Sequence, residues 1–349
     1  MKKPLIILTG PTAVGKTELS IQLAGHINGE IISADSMQVY KKMDIGTAKI
    51  MPDEMHGIRH HLIDVLDPSE DFNVFRFKEM ANVAMDEIYD AGHIPIIAGG
   101  TGFYIQSVLY DIDFTDTDTD DNFRAQMYDI ASRHGELYVH SLLNEVDPES
   151  AQAIHPNNLK RVIRALEYFH QTGQKISEHN KEQSVKESPY NYIYFVLNDD
   201  RKRIYERIDR RVDLMIENGL LDEVRSLMDM GYDKSLVSMK GLGYKEIIDY
   251  YNGVTTLDEA VYILKRDTRH FAKRQLTWFG REKDVTWVNL DSFNGDRTAA
   301  LSFMLNEIKK HKIFTIFLKI CVDKRGIYGY NNKAPFECKL NMWRYSSVG

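Results

Sequence analysis

Short apolar runs alternate with segments of helical periodicity in the first third of the chain. Mainly apolar runs, typical of strands buried on both faces of a sheet, occupy residues 4–9, 30–33, 61–65 and 94–98. Residues 18–24 and 77–89 instead repeat apolar positions every three or four residues, which predicts amphipathic helices. Strands that alternate with helices favour an α/β fold with a mainly parallel sheet.

The pattern changes at Asp111, where an aspartate-rich stretch begins and runs to Asp121. No further strand pattern occurs before residues 192–197, and the residues between have helical periodicity at 123–145 and 159–170. We therefore predict a core made of residues 1–110 and 195–311. This core carries a helical insertion, residues 111–194.

The C-terminal part of the core is predicted to be mainly helical. Helices are expected at residues 201–216, 220–230, 244–251, 257–277 and 297–311, with one strand at residues 285–289. The tail, residues 312–349, has an apolar start and a Tyr- and Asn-rich end without periodicity. Its role stays open.

Composition narrows the class of protein. The 349 residues are 43% hydrophobic and 27% charged, which is typical of a folded chain. A formal charge of −7 excludes a basic field over the whole chain, although not a local one. The two cysteines, Cys321 and Cys338, cannot form a disulfide framework, and a zinc finger is not expected. No apolar run has the length of a membrane-spanning helix, so we expect a cytoplasmic protein without a membrane partner.

Residues Gly10–Thr17 match the phosphate-loop pattern G-x-x-x-x-G-K-[ST] in full, between a predicted strand and a predicted helix. The N–H groups of such a loop surround an anion, together with the positive end of the helix dipole. Lys16 can reach terminal phosphate oxygens, and the hydroxyl of Thr17 can bind Mg²⁺. The loop predicts a di- or triphosphate site of the kind described as nucleotide- or ATP-binding, but it does not identify the ligand.

Two further polar segments follow predicted strands. Asp35 follows the second strand, and the turn Gly99–Gly102, which contains Thr101, follows the fourth. Because ligands bind at the carboxyl ends of parallel strands, we expect Asp35 and Thr101 to face the phosphate loop. Asp35 either accepts a proton from a nucleophile or only caps the segment after it, and the residues alone leave both interpretations open. Gln38 offers a donor and an acceptor suited to a base edge.

Three predicted helices carry basic faces inside this acidic chain. Lys160 and Arg164 lie one turn apart on the first, and Arg207 and Arg211 have the same spacing on the second. Residues 265–283 contain seven Lys or Arg residues against two acidic ones. A charged face is often only solvated. Three such faces beside a phosphate loop nevertheless favour contact with polyphosphate and with an RNA backbone.

The chain resembles the bacterial tRNA dimethylallyltransferase family from Pro4 to about His311. The motifs that carry the resemblance, in order, are Gly10–Thr17, Asp35–Tyr40, His60–Asp64, Gly99–Tyr104, Asn158–Glu167, Lys240–Glu246 and Arg274–Arg281. The phosphate loop is generic, whereas the Asp-Ser-x-Gln and Arg-Gln-Leu-Thr-Trp motifs are specific to the family. The tail after His311 does not resemble it.

The resemblance implies a phosphate-loop, kinase-like α/β core with a helical insertion that clasps the anticodon stem-loop of tRNA. It also implies Mg²⁺-dependent transfer of the dimethylallyl group from dimethylallyl diphosphate to N6 of adenine 37. It further implies that the tRNA substrates are those that read codons beginning with U and that the enzyme is a monomer. On this basis the phosphate loop holds the prenyl diphosphate and not ATP.

The resemblance further implies site residues. Asp35 is the general base, with Thr101 and Lys16 as further catalytic residues, and Thr17 binds the metal. The expected diphosphate-binding residues are Gly10, Pro11, Thr12, Ala13, Val14, Gly15, Lys16, Thr17, Arg207 and Arg211. The expected tRNA-binding residues are Asp35, Ser36, Met37, Gln38, Thr101, Arg124, Lys160, Arg161, Val162, Ile163 and Arg164.

Two other functions fit the residues without the resemblance. A small-molecule kinase would bind ATP on the loop and use Asp35 to deprotonate a hydroxyl group. A nucleotide-gated RNA-binding module would need neither a general base nor an allylic substrate. Product analysis with labelled ATP and labelled dimethylallyl diphosphate distinguishes these functions from prenyl transfer.

Overall fold

The computed structural model describes residues 2–114 and 120–311, which form two compact units. The first unit contains residues 2–108 and 189–311, and the second is Leu109–Ser188. The predicted tail, residues 312–349 with both cysteines, lies outside the described residues, as does part of the aspartate-rich stretch.

A six-stranded sheet forms the centre of the first unit. Its strands are β1 (Lys3–Thr9), β2 (Gly29–Ala34), β3 (His60–His61), β4 (Ile94–Gly99), β5 (Tyr190–Asn198) and β6 (Val285–Asn289). Their order across the sheet is β3-β2-β4-β1-β5-β6, and every neighbouring pair is parallel. The predicted α/β class is therefore confirmed. The strands β4 and β5, which follow β1 in the chain, lie on opposite sides of it. A ligand crevice is therefore expected at the carboxyl end of β1.

Helices make up most of the remaining structure. In chain order, the helices are α1 (Lys16–Ile27), α2 (Val74–Asp90), α3 (Gly102–Leu109), α4 (Asp121–His134), α5 (Glu136–Val146), α6 (Pro148–Ala153), α7 (Leu159–Thr172), α8 (Ile176–Ser184), α9 (Arg201–Glu217), α10 (Leu220–Asp229), α11 (Tyr244–Tyr251), α12 (Leu257–Phe279) and α13 (Arg297–Lys310). Short 3₁₀ turns occur at Ser238–Lys240 and Leu290–Phe293. Within the described ranges, no helix combines the length and apolar character needed to cross a membrane.

The core of the first unit encloses the central strand. Residues of β1 after Lys3 are buried, as expected for a strand with neighbours on both sides and helices on both faces. Ile6 and Leu8 belong to an apolar cluster that includes residues of α1 and α13. A separate aromatic group fixes the chain beyond β2, because Phe72 makes edge contacts with both Tyr40 and Tyr104. The apolar runs of the sequence thus predict the buried strands of this sheet.

The second unit is a helical bundle with its own core. Val139 and Leu143 of α5 pack with Val162, Ile163 and other residues of α7, and all four are buried. The apolar stripe predicted on residues 159–170 is the face of α7 that enters this core.

Several predicted boundaries differ from the structure. The strand expected at residues 61–65 is only His60–His61, because Leu62 and Asp64 have left-handed backbone angles (φ of 62° and 57°) that end it. The helix expected at residues 123–145 is two helices, broken at Gly135, where φ is 88°. The insertion was predicted to end at residue 194, but β5 begins earlier and the second unit ends at Ser188. Three short helices, α3, α6 and α8, were not predicted.

A buried carboxylate connects the short helices of the second unit. Asp147 is 1% exposed and accepts hydrogen bonds from the N–H and hydroxyl of Ser150 at 3.1 and 2.6 Å. It also accepts from the N–H and hydroxyl of Ser177 at 3.0 and 2.7 Å, so it caps α6 and holds the start of α8. Burial raises the pKa of Asp147, but these bonds outweigh burial and the pKa lies below its ordinary value.

We predict that Asp147→Ala lowers the free energy of unfolding of the second unit by about 2–4 kcal/mol, because buried donors lose their charged acceptor. The native pKa is depressed, so this contribution is present above the pKa of the unfolded carboxyl group. It is lost as pH falls through the native pKa. Hydrogen exchange of the full chain, read by mass spectrometry, measures the change. The control is Asp129→Ala, which removes an exposed ion pair with Arg133 and should cost less than about 1 kcal/mol. Equal protection in the two variants would count against this role of Asp147.

Candidate active site

Four loops reach the same edge of the sheet. The phosphate loop follows β1, Asp35 follows β2, the turn containing Thr101 follows β4, and Asp199 follows β5. The last residues of these strands are in register: Gly99 pairs with Thr9 on one side and with Ala34 on the other. The structure thus brings together Asp35, Thr101 and the phosphate loop.

The phosphate loop is curled tightly by residues with positive φ. Gly10 and Gly15 have φ of 146° and 100°, and Ala13 has φ of 62°. A Cβ on Gly10 would lie 2.5 Å from the carbonyl oxygen of Leu197, so β5 leaves no room for a side chain there. Helix α1 begins directly after the loop, at Lys16, and the N–H groups of its first turn have no partner within the helix. These groups are available to an anion.

Lys16 is turned back onto its own loop. Its ammonium group donates to the carbonyl oxygens of Gly10 and Pro11 at 3.0 and 2.8 Å. Burial and the positive charge of Arg211 lower the pKa of Lys16 to about 7, although Asp35 opposes this shift. The loop therefore holds a desolvated amine, and a negative ligand would stabilise its charged form.

The two arginines of α9 have different roles in the structure. Arg207 pairs with the buried carboxylate of Asp199 and also donates to the carbonyl oxygen of Ala13 at 3.4 Å. Arg211 forms no ion pair with any described residue, and its guanidinium lies 3.5 Å from the hydroxyl of Thr12. Burial lowers the pKa of Arg211, and Asp35 acts in the opposite direction. Of the two arginines that are predicted to bind diphosphate, Arg211 is the one whose charge is available to a ligand.

Asp35 combines the two roles that its sequence context leaves open. Its Oδ1 accepts hydrogen bonds from the N–H groups of Met37 and Gln38 at 2.8 and 3.3 Å, which fixes the carboxylate as a cap. Its Oδ2 accepts no hydrogen bond from the described residues. One oxygen therefore holds the side chain in place, and the other remains available as a proton acceptor.

The motifs Gly99–Tyr104 and Arg274–Arg281 pack closely against each other because the glycines of the first have no side chain at the contact. A Cβ on Gly99 would lie 2.3 Å from the carbonyl oxygen of Ala34. A Cβ on Gly100 or Gly102 would lie 2.1 Å from a side-chain nitrogen of Gln275 or Trp278, respectively. The glycines of the Thr101 turn thus admit the end of β2 and the side chains of α12. The N–H of Thr101 also donates to Ala34 at 3.2 Å, which holds this turn beside Asp35.

Gln275 is a residue of the site that the sequence interpretation missed. Its side chain is 6% exposed, accepts from the N–H of Thr12 at 2.8 Å and donates to the carbonyl oxygen of Gly100 at 3.0 Å. It therefore joins the phosphate loop to the Thr101 turn. Its place in the motif Arg274–Arg281 was the available signal, but a glutamine on a basic helix does not reveal which way its amide points.

Arg297 is a second residue that was missed. At the start of α13, it pairs with Glu18 at 3.0 Å and donates to the carbonyl oxygen of Gly15 at 3.3 Å. A Cβ on Gly15 would lie 2.1 Å from its guanidinium group. Another positive charge therefore borders the loop, contributed by a helix near the other end of the described chain.

The segment after Asp35 is held in place by residues from two other parts of the chain. The amide nitrogen of Gln38 donates to the carbonyl oxygens of Thr47 and Ala48 at 3.3 and 3.0 Å, so its oxygen is the group left for a base edge. Met37 packs against Gly241, where a Cβ would lie 2.4 Å from its methyl carbon. Ser36, which lies between Asp35 and Met37 in the sequence, is partly buried. The Lys240–Glu246 motif is thus a support for this segment.

Two of the basic residues predicted to bind tRNA are held by a carboxylate within the second unit. Glu167 is 0% exposed, and its carboxylate accepts two hydrogen bonds from Arg124, each of 2.9 Å. Arg164 donates to the same carboxylate at 2.8 Å. These contacts tie α4 to α7 and satisfy the buried charge of Glu167.

The other predicted tRNA contacts of α7 divide into two groups. Lys160 and Arg161 are exposed and form no ion pair with any described residue. Val162 and Ile163 are 0% and 2% exposed, within the apolar core. Their side chains belong to the core of the second unit, and contact of these two residues with RNA stays a prediction.

Within residues 2–114 and 120–311, no three His, Cys, Asp or Glu side chains form a metal-binding group. His61 and His93 both contact the buried carboxylate of Glu30, the former at 2.7 Å, so they are structural residues. Thr17 is exposed at the first turn of α1. A single hydroxyl suits Mg²⁺, which is commonly held by few protein ligands, water and substrate phosphates.

Known proteins resemble this chain over most of its length. The family model described as IPP transferase matches residues 38–282. The chain is 61% identical over 294 residues to the tRNA dimethylallyltransferase of Lachnoclostridium phytofermentans, covering 84% of this chain and 94% of that one. It is 51% identical over 292 residues to the enzyme of the same name from Acetivibrio thermocellus, covering 84% and 93% of the two chains.

Solved structures show the same similarity. A tRNA isopentenylpyrophosphate transferase from Bacillus halodurans is 43% identical, with a TM-score of 0.66 over 89% of this chain and 98% of that one. A eukaryotic dimethylallyltransferase acting on tRNA is 31% identical, with a TM-score of 0.70 over 82% and 74% of the two chains. By the family model and by these relatives, the chain belongs to the IPP transferase family.

Proposed function

We propose that the chain is a tRNA dimethylallyltransferase that transfers the dimethylallyl group from dimethylallyl diphosphate to N6 of adenine 37. The observation that carries the proposal is the charge arrangement at the ends of β1 and β2. Among the described residues, no carboxylate is hydrogen-bonded to either of the two cations Lys16 and Arg211, and no donor reaches the second carboxylate oxygen of Asp35. The cations suit a diphosphate, and the open oxygen suits a proton acceptor.

The diphosphate half of the reaction rests on the phosphate loop. As the bond between C1 of the dimethylallyl group and oxygen breaks, negative charge builds on the diphosphate. N–H groups of the loop and the first turn of α1, with Lys16 and Arg211, are preorganised donors for this charge. The hydroxyl of Thr101 lies at the neighbouring strand end and is a further donor to the leaving group.

The amine half of the reaction rests on Asp35. The lone pair of N6 is delocalised into the adenine ring, so the amine is a weak nucleophile. As the bond from N6 to C1 forms, the open oxygen of Asp35 takes the N6 proton, which leaves a neutral secondary amine and diphosphate. A base that is stacked in the anticodon loop cannot reach Asp35 at the edge of the sheet, so adenine 37 has to be flipped out of the loop. The oxygen of Gln38 is an acceptor for the base edge.

Mg²⁺ is part of this proposal. The hydroxyl of Thr17 would hold the ion together with diphosphate oxygens and water, since the described residues offer no cage of protein ligands. When bound, the ion neutralises part of the leaving-group charge. A monomeric state and a cytoplasmic location remain predictions of the sequence.

The proposal is tested by incubating the protein with Mg²⁺, an unmodified tRNA that reads a UNN codon, and either labelled ATP or labelled dimethylallyl diphosphate. We expect prenylated tRNA and no phosphorylated product. In Asp35→Asn, which keeps the capping oxygen and loses the base, turnover should fall about 10²–10⁴-fold. The Kd for tRNA should change little. Transfer of label from ATP alone, or normal single-turnover prenylation by Asp35→Asn, would refute the proposal.

The lowered pKa of Lys16 predicts proton uptake on substrate binding. Above pH 7 the amine is largely neutral in the free protein, and a bound diphosphate favours its charged form, so binding takes up a proton. The binding constant for dimethylallyl diphosphate should therefore fall up to about tenfold per pH unit above pH 7. Calorimetry in buffers of different ionisation enthalpy measures the uptake. In Lys16→Arg, which stays charged, the slope and the uptake should disappear, and a flat profile in the unmodified protein would disprove the assignment.

Gln275 is predicted to position both loops of the site. Gln275→Leu removes the bonds to Thr12 and Gly100, so the diphosphate and the Thr101 turn should lose their alignment, with a fall in kcat of about 10- to 100-fold. Gln106→Leu is the control, because the one partner of that amide among the described residues is the side chain of Glu282, at 2.8 Å. Steady-state kinetics and thermal melting separate alignment from folding. A Gln275→Leu variant with unchanged kcat, or one whose loss only follows a lower Tm, would rule out positioning.

A further inference from the structure

Glu223, in the first turn of α10, binds donors from two distant parts of the chain. Its Oε2 accepts hydrogen bonds from the N–H groups of Asp44 and Ile45 at 2.9 and 2.7 Å. Its Oε1 accepts from the N–H of Gly46 at 3.0 Å and from the hydroxyl of Tyr244 at 2.7 Å. Among the described residues it has no Lys, Arg or His partner, so these donors satisfy its charge. One carboxylate thus fixes three consecutive backbone N–H groups.

Tyr244 holds this contact together from α11. Its side chain is 0% exposed and packs on Gly46, where a Cβ would lie 2.6 Å from the tyrosine ring. Burial and the nearby charge of Glu223 raise the pKa of Tyr244 well above its ordinary value, so the hydroxyl keeps its proton and remains a donor. The backbone of Gly46 is therefore held between a carboxylate and a ring.

The segment held by Glu223 is the start of a loop, residues 44–49, whose other end is also fixed. The ammonium group of Lys49 has a side chain only 3% exposed and donates to the carboxylates of Asp44 and Asp64 at 2.6 and 2.8 Å. It also donates to the carbonyl oxygen of Tyr40 at 2.6 Å. Between the two ends, Ala48 has a left-handed φ of 49°, which persists only where surrounding contacts impose it.

The 44–49 loop sets the direction of the Gln38 amide. The amide nitrogen of Gln38 donates to the carbonyl oxygens of Thr47 and Ala48 at 3.3 and 3.0 Å. Carbonyl oxygens only accept, so the nitrogen has to face the loop and the amide oxygen has to face away from it. A glutamine without such partners offers a donor or an acceptor equally well. Held by the loop, Gln38 offers an acceptor, which suits an amino group of a base and repels a carbonyl oxygen.

We propose that Glu223 is a positioning residue for the choice of the target base. By fixing the start of the 44–49 loop, it keeps the amide oxygen of Gln38 towards the base, so that a purine with an amino group at position 6 is preferred to one with a carbonyl group there. Glu223 acts through Gln38 and not on the substrate itself. The inference rests on the proposed function, since it takes an RNA purine as the substrate.

The test compares two anticodon stem-loop RNAs that differ only in adenine or hypoxanthine at position 37. Their Kd values for the full chain are measured by fluorescence anisotropy. The unmodified protein should bind the adenine RNA about tenfold more tightly, the discrimination typical of one well-placed hydrogen bond to a base. In Glu223→Gln the new NH₂ group faces the backbone N–H groups, so the loop should loosen and the two RNAs should bind with nearly equal affinity. Hydrogen exchange of residues 41–50 shows whether the loop is released.

Two further variants control for a general loss of structure. Asp222→Asn removes an exposed carboxylate from the same turn, one with no hydrogen bond or ion pair to any described residue, and should keep the discrimination. Tyr244→Phe removes one of the four donors and keeps the ring, so it should reduce the discrimination partly. It also provides the test if Glu223→Gln does not fold.

A double-mutant cycle separates action through Gln38 from a structural effect. Gln38→Ala should lose the discrimination, and adding Glu223→Gln to it should cause no further change, because the group that Glu223 positions is already absent. The inference is overturned if Glu223→Gln keeps the discrimination, if Gln38→Ala keeps it, or if the double variant loses affinity for both RNAs by the sum of the single losses.

Failure of this inference and failure of the proposed function give different results. If the protein prenylates RNA but Glu223→Gln discriminates as the unmodified protein does, the proposed function stands and the role of Glu223 is wrong. If Glu223→Gln loses the discrimination and the unmodified protein transfers no prenyl group, base selection by this route stands and the proposed function fails.

Discussion

An excess of positive charge at the end of the central strand is the constraint on which the rest of the site depends. Lys16 is desolvated beside Arg211, and its partners in the described part of the chain are carbonyl oxygens of its own loop, with no carboxylate among them. Asp199, the buried acid that follows β5, is already paired with Arg207. Such a site is stabilised by an anion of high charge, which a diphosphate supplies, and departure of that anion is the step it can accelerate.

The general base is positioned by backbone packing. Gly99 has no side chain where Ala34 passes, so the ends of β2 and β4 approach closely, and Thr101 bonds back to β2. Gln275 then ties this turn to the phosphate loop from a helix far along the chain. Asp35 is thus fixed by short-range bonds to its own turn, while its distance from the loop is set by the sheet. This is why two motifs more than 170 residues apart belong to one site.

The sequence predicts well what periodicity and local chemistry determine. Continuous apolar runs predict β1, β2, β4 and β5, and the phosphate loop is read directly from its glycines and Lys16. Contacts between distant segments are not encoded locally. No local sequence feature near Arg207 indicates that Asp199 neutralises it and that Arg211 has no ion pair among the described residues. Val162 and Ile163 are predicted to bind RNA as parts of a family motif, and their spacing on α7 indicates that their side chains lie in the core. The strand at residues 61–65 was overestimated, because an apolar run does not reveal left-handed residues that end it.

The central claim is that the phosphate loop holds the prenyl diphosphate and that Lys16 moves to meet it. The most direct measurement is a crystal structure of the protein with Mg²⁺ and a non-hydrolysable thio-analogue of dimethylallyl diphosphate. The account predicts diphosphate oxygens on the N–H groups at the start of α1, with Lys16 released from Gly10 and Pro11 and the allylic carbon facing Asp35. A diphosphate bound away from the loop, with Lys16 still on those two carbonyl oxygens, would contradict it.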